Sequence, residues 1–267
     1  MINEQILEKR SLISFNKGEI AETEDILVTE RPLTIILNDV EMATLVCSPY
    51  GLRELTIGFL AGEGIIQSAD DIIGLEFREE QGVVWVETNS PISIEETFLR
   101  RNFASCCGKG RPSLYFINDL KQLTPITSDK KFTVGQLLSS VRLLEAAANT
   151  FKATGGVHSS ALCSESGIIA RYEDIGRHNT LDRLLGWVLL EKIDAADKLI
   201  ALSGRASSEM VTKAARIGVP VLVSRSAVTG LAVDFAEDLG ITLAGFARDN
   251  RINIYSHPER IIWEDDR

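Results

Sequence analysis

The sequence predicts an α/β protein: a layered C-terminal domain with largely parallel later strands, preceded by a smaller α+β unit. Three observations lead there. Short apolar runs rich in Val, Ile and Leu alternate with helical periodicities from about residue 133 onward, the order that builds a sheet covered by helices. A capping box opens the first of those helices, with Thr133 followed three residues later by Gln136. The N-terminal third instead carries β-rich runs around a single helical stretch.

Taken in order, residues 1–25 mix charge and polarity without a sustained apolar period and read as a tail or irregular edge segment. Leu33–Leu37 and Met42–Cys47 flank Asn38-Asp39, a hairpin signal, and Cys47 reads as a packed strand residue. After Ser48-Pro49-Tyr50-Gly51, the positions Leu52, Leu55, Phe59 and Leu60 share a helical face that ends near Gly62-Glu63-Gly64; Glu54 and Glu63 fall on the solvated side. A short helix near Ala69–Ile73 and a strand at Val83–Val86 complete this unit, and Leu114–Ile117 forms a strand after the cysteine stretch.

In the second half, Val134, Leu137, Leu138, Val141, Leu144 and Ala148 supply a helical stripe. Strands follow near 157–163, 168–172, 199–202, 219–224 and 241–246, with helices near 179–190, 207–217 and 230–239 between the later ones. The expected division is 1–128 for the N-terminal α+β subdomain, including the cysteine loop, and 129–267 for the α/β domain.

Composition narrows the function classes. The 267 residues are 45% hydrophobic and 25% charged, an ordinary globular balance, and no apolar run reaches the roughly 18 residues of a membrane span. The opening Met1-Ile2-Asn3-Glu4-Gln5 lacks the basic-then-apolar order of a secretion signal, so a cytoplasmic location is expected. A net charge of −10 argues against a nucleic-acid binder, which needs a basic surface. Four cysteines are too few for a disulfide scaffold. No Cys-x-x-Cys, His-x-Glu or His-Glu-x-x-His pattern occurs, so no structural metal is expected and a zinc hydrolase is disfavoured.

Residue type places the candidate chemistry in Asn102–Pro112. Cys106 and Cys107 are adjacent, and neighbouring Cα atoms stand about 3.8 Å apart, below the roughly 4.4 Å usual for a disulfide. From Thr97 to Asn118 there is no Asp or Glu, while Arg100, Arg101, Lys109 and Arg111 all fall there. Cations favour the nucleophilic thiolate, and Gly108, Gly110 and Pro112 place the pair on a loop. A buried structural pair is the competing reading.

Further polar groups gather where strands end. Gly155-Gly156-Val157-His158 opens a strand, with His158 either a proton shuttle or an ordinary hydrogen-bonded histidine. Glu173–Arg183 packs acid, base and amide groups, His178 among them, into a strand-to-helix turn, where Asn179 or a neighbouring carboxylate caps the helix. Ser203-Gly204-Arg205 and Ser224-Arg225-Ser226 each set hydroxyls and an arginine where a helix begins, and Phe246-Ala247-Arg248-Asp249-Asn250-Arg251 adds an aromatic and two guanidinium groups. Ligands of α/β sheets collect outside such strand ends, and helix N-termini receive phosphate, so an anionic ligand fits. Neither a Walker loop nor a Gly-x-Gly-x-x-Gly turn is present.

Several blocks in one order, Ser48–Leu55, Gly58-Phe59-Leu60, Glu63–Ile66, the cysteine loop, Gly155–His158, Tyr172–Asn179, Ser203–Arg205, Pro220–Ser224 and Phe246–Arg248, resemble the FdhD family of sulfurtransferases that serve formate dehydrogenase maturation. The resemblance implies a cytidine-deaminase-like C-terminal domain without the deaminase zinc, and a homodimer. It implies a cysteine persulfide that accepts sulfur from a cysteine desulfurase and passes it to molybdenum in the bis(molybdopterin guanine dinucleotide) cofactor, before that cofactor enters formate dehydrogenase. Phe246, Ala247, Arg248, Asp249, Asn250 and Arg251, with Arg205 and His178, would hold the cofactor. Many relatives carry Cys-Gly-x-Cys-Gly where this chain has Ser105-Cys106-Cys107-Gly108-Lys109; alignment on Gly108-Lys109 favours Cys107 as carrier, with Cys106 the alternative or a relay. A non-catalytic cofactor-binding chaperone is the other reading.

Overall fold

Leu199-Ile200-Ala201-Leu202 and Val221-Leu222-Val223-Ser224 are apolar on both faces, as strands buried on both sides must be, and both become central strands of a six-stranded sheet. The computed structural model describes residues 6–89 and 123–263.

The chain begins with β1 (Leu7–Asn16) and β2 (Glu19–Val28), an antiparallel hairpin where an irregular segment was expected. Arg10 lies opposite Asp25, while Glu22 faces Ile13, Lys9 faces Ile26 and Glu8 faces Leu27, so charges and apolar residues mix on this mostly exposed ribbon and no period shows. Lys17 and Gly18 both take positive φ, as a two-residue hairpin turn demands. Next come β3 (Arg31–Leu37) and β4 (Val40–Cys47), the expected hairpin, turning on Asn38 and Asp39 at φ 47° and 65°.

Helix α1 (Leu52–Gly62) follows as expected. The short helix near 69–73 is a single 3-10 turn, Ala69–Asp71, capped reciprocally by Ser68 and Asp71; it delivers the chain into β5 (Ile72–Arg78), which the sequence had not signalled. A register irregularity between Ile72 and Gly74 breaks the alternation there. With β6 (Val83–Thr88) the order of this sheet is β4-β3-β6-β5.

The second half opens with β7 (Phe132–Thr133), paired in parallel with β14 (Ile261–Ile262), and α2 (Val134–Ala147). The capping box is present: Gln136 N–H donates to Thr133 Oγ1 at 3.1 Å, and Thr133 N–H to Gln136 Oε1 at 2.8 Å. The remaining elements are α3 (Asn149–Thr154), β8 (His158–Ser164), β9 (Gly167–Asp174), α4 (Arg177–Glu191), β10 (Leu199–Leu202), α5 (Ser208–Ile217), β11 (Val221–Ser224), α6 (Gly230–Asp238), β12 (Thr242–Arg248) and β13 (Arg251–Ile254). The order is β13-β12-β11-β10-β8-β9, with β10, β11 and β12 parallel as expected and β8, β9 and β13 antiparallel to their neighbours.

Alternate residues of these strands feed two layers. Ala161, Cys163, Leu199, Ala201, Val221, Val223 and Ala244 pack with Leu137, Val141 and Leu144 of α2. Leu162, Ile200, Leu202, Leu222 and Leu243 pack with α4, α5 and α6 through Leu181, Leu184, Met210, Val211 and Phe235. That second layer continues without a break into Leu33, Ile35, Leu55, Leu60, Val84 and Val86 of the N-terminal sheet and α1. Two glycines permit the join: a Cβ on Gly58 would lie 1.6 Å from Asp182 O, and one on Gly186 would lie 1.9 Å from Glu54 O, so α1 and α4 cross backbone to backbone. Glu63, expected on the solvated side of α1, is buried near Lys213, because α1 is covered by the α/β domain. Among the described residues, no helix is long and apolar enough to cross a membrane.

Candidate functional site

Because β10, β11 and β12 run in parallel, their carboxyl ends lie side by side, and because β8 runs against β10 its first residue joins the same row. The row is knitted by backbone bonds. Ser203 N–H donates to Ser159 O at 3.0 Å and Ser159 N–H to Ser203 Oγ at 2.8 Å. Arg225 N–H reaches Leu202 O at 2.9 Å, Ala206 N–H reaches Ala227 O at 3.0 Å, and Phe246 N–H reaches Ser226 O at 2.9 Å. The N-termini of α4, α5 and α6 open beside these loops, so partial positive charge accumulates along one edge.

His158 stands at the head of β8. A Cβ on Gly204 would lie 3.2 Å from its Nδ1, so glycine lets the 203–207 loop pass close over the imidazole. Burial, aided by Arg177, His178 and Arg205, pushes the His158 pKa below its ordinary 6.5. The folded protein thus resists a proton that the unfolded chain accepts. Stability is expected to fall as pH drops below about 6.5 and through the lower folded value, and His158→Gln to flatten that fall; urea midpoints at about pH 7.5 and about pH 5.5 would check it.

His178 lies in the first turn of α4, with Nδ1 2.9 Å from Glu209 Oε1 on α5. Arg205 is exposed in the loop after β10. Asn179 is not the helix cap: Gly176 is, and the Asn179 amide instead donates to Val46 O at 2.9 Å and to Asp174 Oδ1 at 2.7 Å. The neighbouring carboxylate does serve the turn, since Asp174 Oδ1 also accepts Gly176 N–H at 2.7 Å.

At the other end of the row, Phe246 sits at a bulge of β12 with φ 51°, and the Arg251 guanidinium lies 5.7 Å from its ring centre. Ala247 is buried; Arg248, Asp249, Asn250 and Arg251 are exposed on the turn into β13. The sequence had marked that segment but not its following strand. Arg225, also marked, is engaged by Glu145 of α2.

Cys106 and Cys107 lie outside the described residues, as does Leu114–Ile117. The two described thiols are packing groups, as expected for Cys47: burial pushes both Cys47 and Cys163 up to about 12, out of the nucleophilic range at neutral pH.

Residues 28–262 match the model of the FdhD/NarQ family. This chain belongs to the FdhD/NarQ family. Family relatives include the sulfur carrier protein FdhD of Bacillus subtilis, 43% identical over 261 residues that cover 97% of this chain and 99% of that protein. The sulfur carrier protein FdhD of Geobacillus kaustophilus is 42% identical over 255 residues, covering 95% and 97%. In three dimensions the chain is similar to a crystal structure from Desulfotalea psychrophila described as a formate dehydrogenase accessory protein, with TM-score 0.79 and 27% identity over 96% of this chain and all of that one.

The sequence missed what supports His178. Glu209 and Lys213 are spaced i, i+4 and pair with each other, but their further partners, His178 and Asp182, are on another helix, and the pattern along one helix does not reveal a contact between two.

Proposed function

We propose that this protein is a sulfur carrier for formate dehydrogenase maturation, loading sulfur on Cys107, or on Cys106, and delivering it to the molybdenum of bis(molybdopterin guanine dinucleotide). The observation that carries the reading is family membership over nearly the whole chain, with relatives named sulfur carriers. The cationic, glycine-rich loop that holds Cys106 and Cys107 supports it from the sequence.

In the loading step a loop thiolate attacks the terminal sulfur of a cysteine desulfurase persulfide. The new S–S bond forms on the carrier, the donor's S–S bond breaks, and the donor leaves as thiolate with no net oxidation. Delivery as sulfide draws two electrons from a thiol reductant. The cofactor is a substrate here. Its phosphates suit the helix N-termini and the exposed Arg205, Arg248 and Arg251, its guanine suits a stack on Phe246, and His178 lies on the same edge. The same reading makes residues 129–267 a cytidine-deaminase-like domain, the active species a homodimer, and the compartment the cytoplasm.

The test is incubation of the full chain with a cysteine desulfurase and cysteine, without added reductant, followed by mass spectrometry. One added sulfur is expected on the Cys106–Cys107 peptide, and none on a Cys106→Ala/Cys107→Ala variant, which also fails to activate formate dehydrogenase. Activation by that variant, with no adduct on the parent protein, would sink the carrier reading in favour of a cofactor-binding chaperone.

A further inference from the structure

The β1–β2 ribbon is fastened at its root. Ile6 is fully buried there, Thr29 N–H donates to Ile6 O at 2.8 Å, and a Cβ on Gly156 would lie 2.2 Å from Val28 Cγ2, which sets the root beside the head of β8. From there the paired strands run out to the Lys17-Gly18 turn, a reach of roughly 30 Å. Near that turn Phe15 and Ile20 are opposed, Ile13 follows on the same face, and their exposures are 74%, 75% and 77%. Two strands alone are marginal in water, and a third strand or a covering layer is what makes such a ribbon durable. Among the described residues the ribbon is a sheet of its own, so both of its edges present unpaired N–H and C=O groups.

The two edges differ in what they can accept. About a two-fold axis normal to the sheet, an edge strand meets its own copy antiparallel, directly opposed residues share a face, and the axis passes beside a residue that faces itself. On β2 the central positions are acidic. An axis at Thr23 sets Glu22 against Glu24 of the second copy twice over, and an axis at Glu22 or Glu24 sets that carboxylate against itself. Like charges so placed repel. On β1 an axis at Leu12 sets Leu12 against Leu12, Ser11 against Ile13, Arg10 against Ser14, Lys9 against Phe15 and Glu8 against Asn16. No like charges meet there, and the stem and ammonium of Lys9 gain the exposed Phe15 ring as a neighbour.

We propose that β1 is the self-pairing edge of this protein: the β1 strands of two copies join antiparallel about Leu12 and make one four-stranded sheet, in the order β2-β1-β1-β2. The partner this surface fits is a second copy of the chain. The proposal rests on the homodimer reading above and adds the strand that makes the dimer. Since each ribbon is rooted beside Gly156, two residues before His158, the two strand-end rows are carried at opposite ends of the shared sheet.

The experiment uses the full-length chain carrying Cys106→Ser/Cys107→Ser, in which the remaining native thiols, Cys47 and Cys163, are buried. Leu12 and Thr23 are cross-strand partners, one on each edge. Oxidation with copper phenanthroline is expected to convert Leu12→Cys into a disulfide-linked dimer, because directly opposed Cα atoms stand about 4.5–5.5 Å apart, within disulfide reach, and to leave Thr23→Cys unlinked. Analytical ultracentrifugation reads a charge test alongside. Ser11→Glu/Ile13→Glu is expected to raise the dimer dissociation constant by roughly tenfold or more, as is Ser11→Lys/Ile13→Lys, and an equal mixture of the two to restore the dimer. Restoration by mixing rules out misfolding as the cause. A dimer that survives both charge variants, or cross-linking through Thr23→Cys in place of Leu12→Cys, overturns the β1 edge and leaves the homodimer reading standing. A parent protein that sediments as a monomer sinks both and gives the ribbon to another protein.

Discussion

Asp174→Ala is expected to destabilise the protein by about 3–5 kcal/mol, the cost of stranding a buried charge. Asp174 and Arg183 are ion-paired with both side chains fully excluded from solvent. Asp174 Oδ2 also accepts Ser48 N–H at 2.9 Å, while Arg183 donates to Ser48 O at 2.8 Å and to Tyr50 O at 3.0 Å. Ser48 and Tyr50 belong to the link between β4 and α1, so the pair pins the N-terminal sheet to the α/β layer. Alanine would leave the guanidinium without its counter-ion and unhook Gly176 and Asn179 together. Urea unfolding reads the loss. An Asp174→Leu/Arg183→Leu variant should lose less than the sum of its single changes, because it leaves neither charge alone. A midpoint unmoved by Asp174→Ala would show that the pair carries no stability.

Gly58→Ala is expected to cost about 3 kcal/mol or more, beyond the roughly 1–3 kcal/mol usual for overpacking, because the added methyl meets backbone. Asp182 O would be 1.6 Å from the new Cβ, and Asp182 C 2.5 Å, so no rotamer change relieves the clash. The helices must part, carrying Asp182 away from Lys213. Gly230→Ala is the control: at the start of α6, a Cβ meets nothing within 4 Å. Thermal or urea unfolding of the two variants should separate them clearly; similar midpoints would mean that α1 and α4 are free to slide.

Much of this architecture was legible because its signals are local. Thr133 and Gln136 announce their helix by reciprocal bonds within one turn, and Asn38-Asp39 announce a hairpin by a backbone conformation few residues adopt. Leu199–Leu202 was legible from its unbroken apolar run. What escaped notice depends on contacts distant in sequence. The β1–β2 hairpin has no buried face along most of its length to impose a period, and Ile13, Phe15 and Ile20 stay exposed among its charges. Strand β5 is interrupted by Gly74, and β13 follows Asp249 at positive φ after too short a break to look like a new element.

The site divides in the same way. His178, Arg205 and Phe246–Arg251 stand out in the sequence because strand ends are where polar residues interrupt apolar runs. Their common edge is a product of topology, which no single segment encodes. Glu63 was misplaced for the converse reason: in sequence it ends an amphipathic helix, and in space a second layer lies over that end.

Helix α4 gives its N-terminal turn to the strand-end row and its next turn to architecture: His178 lies at the row, while Asp182 and Arg183 brace the interior. A tilt that relieved strain at one end would swing the imidazole at the other. On the proposed use of that row, durability and recognition are inherited together along this helix, and selection for one constrains the other. On the same proposed use, the turn between β12 and β13, built from exposed Arg248, Asp249 and Asn250, is where ligand preference can drift at little risk to the fold.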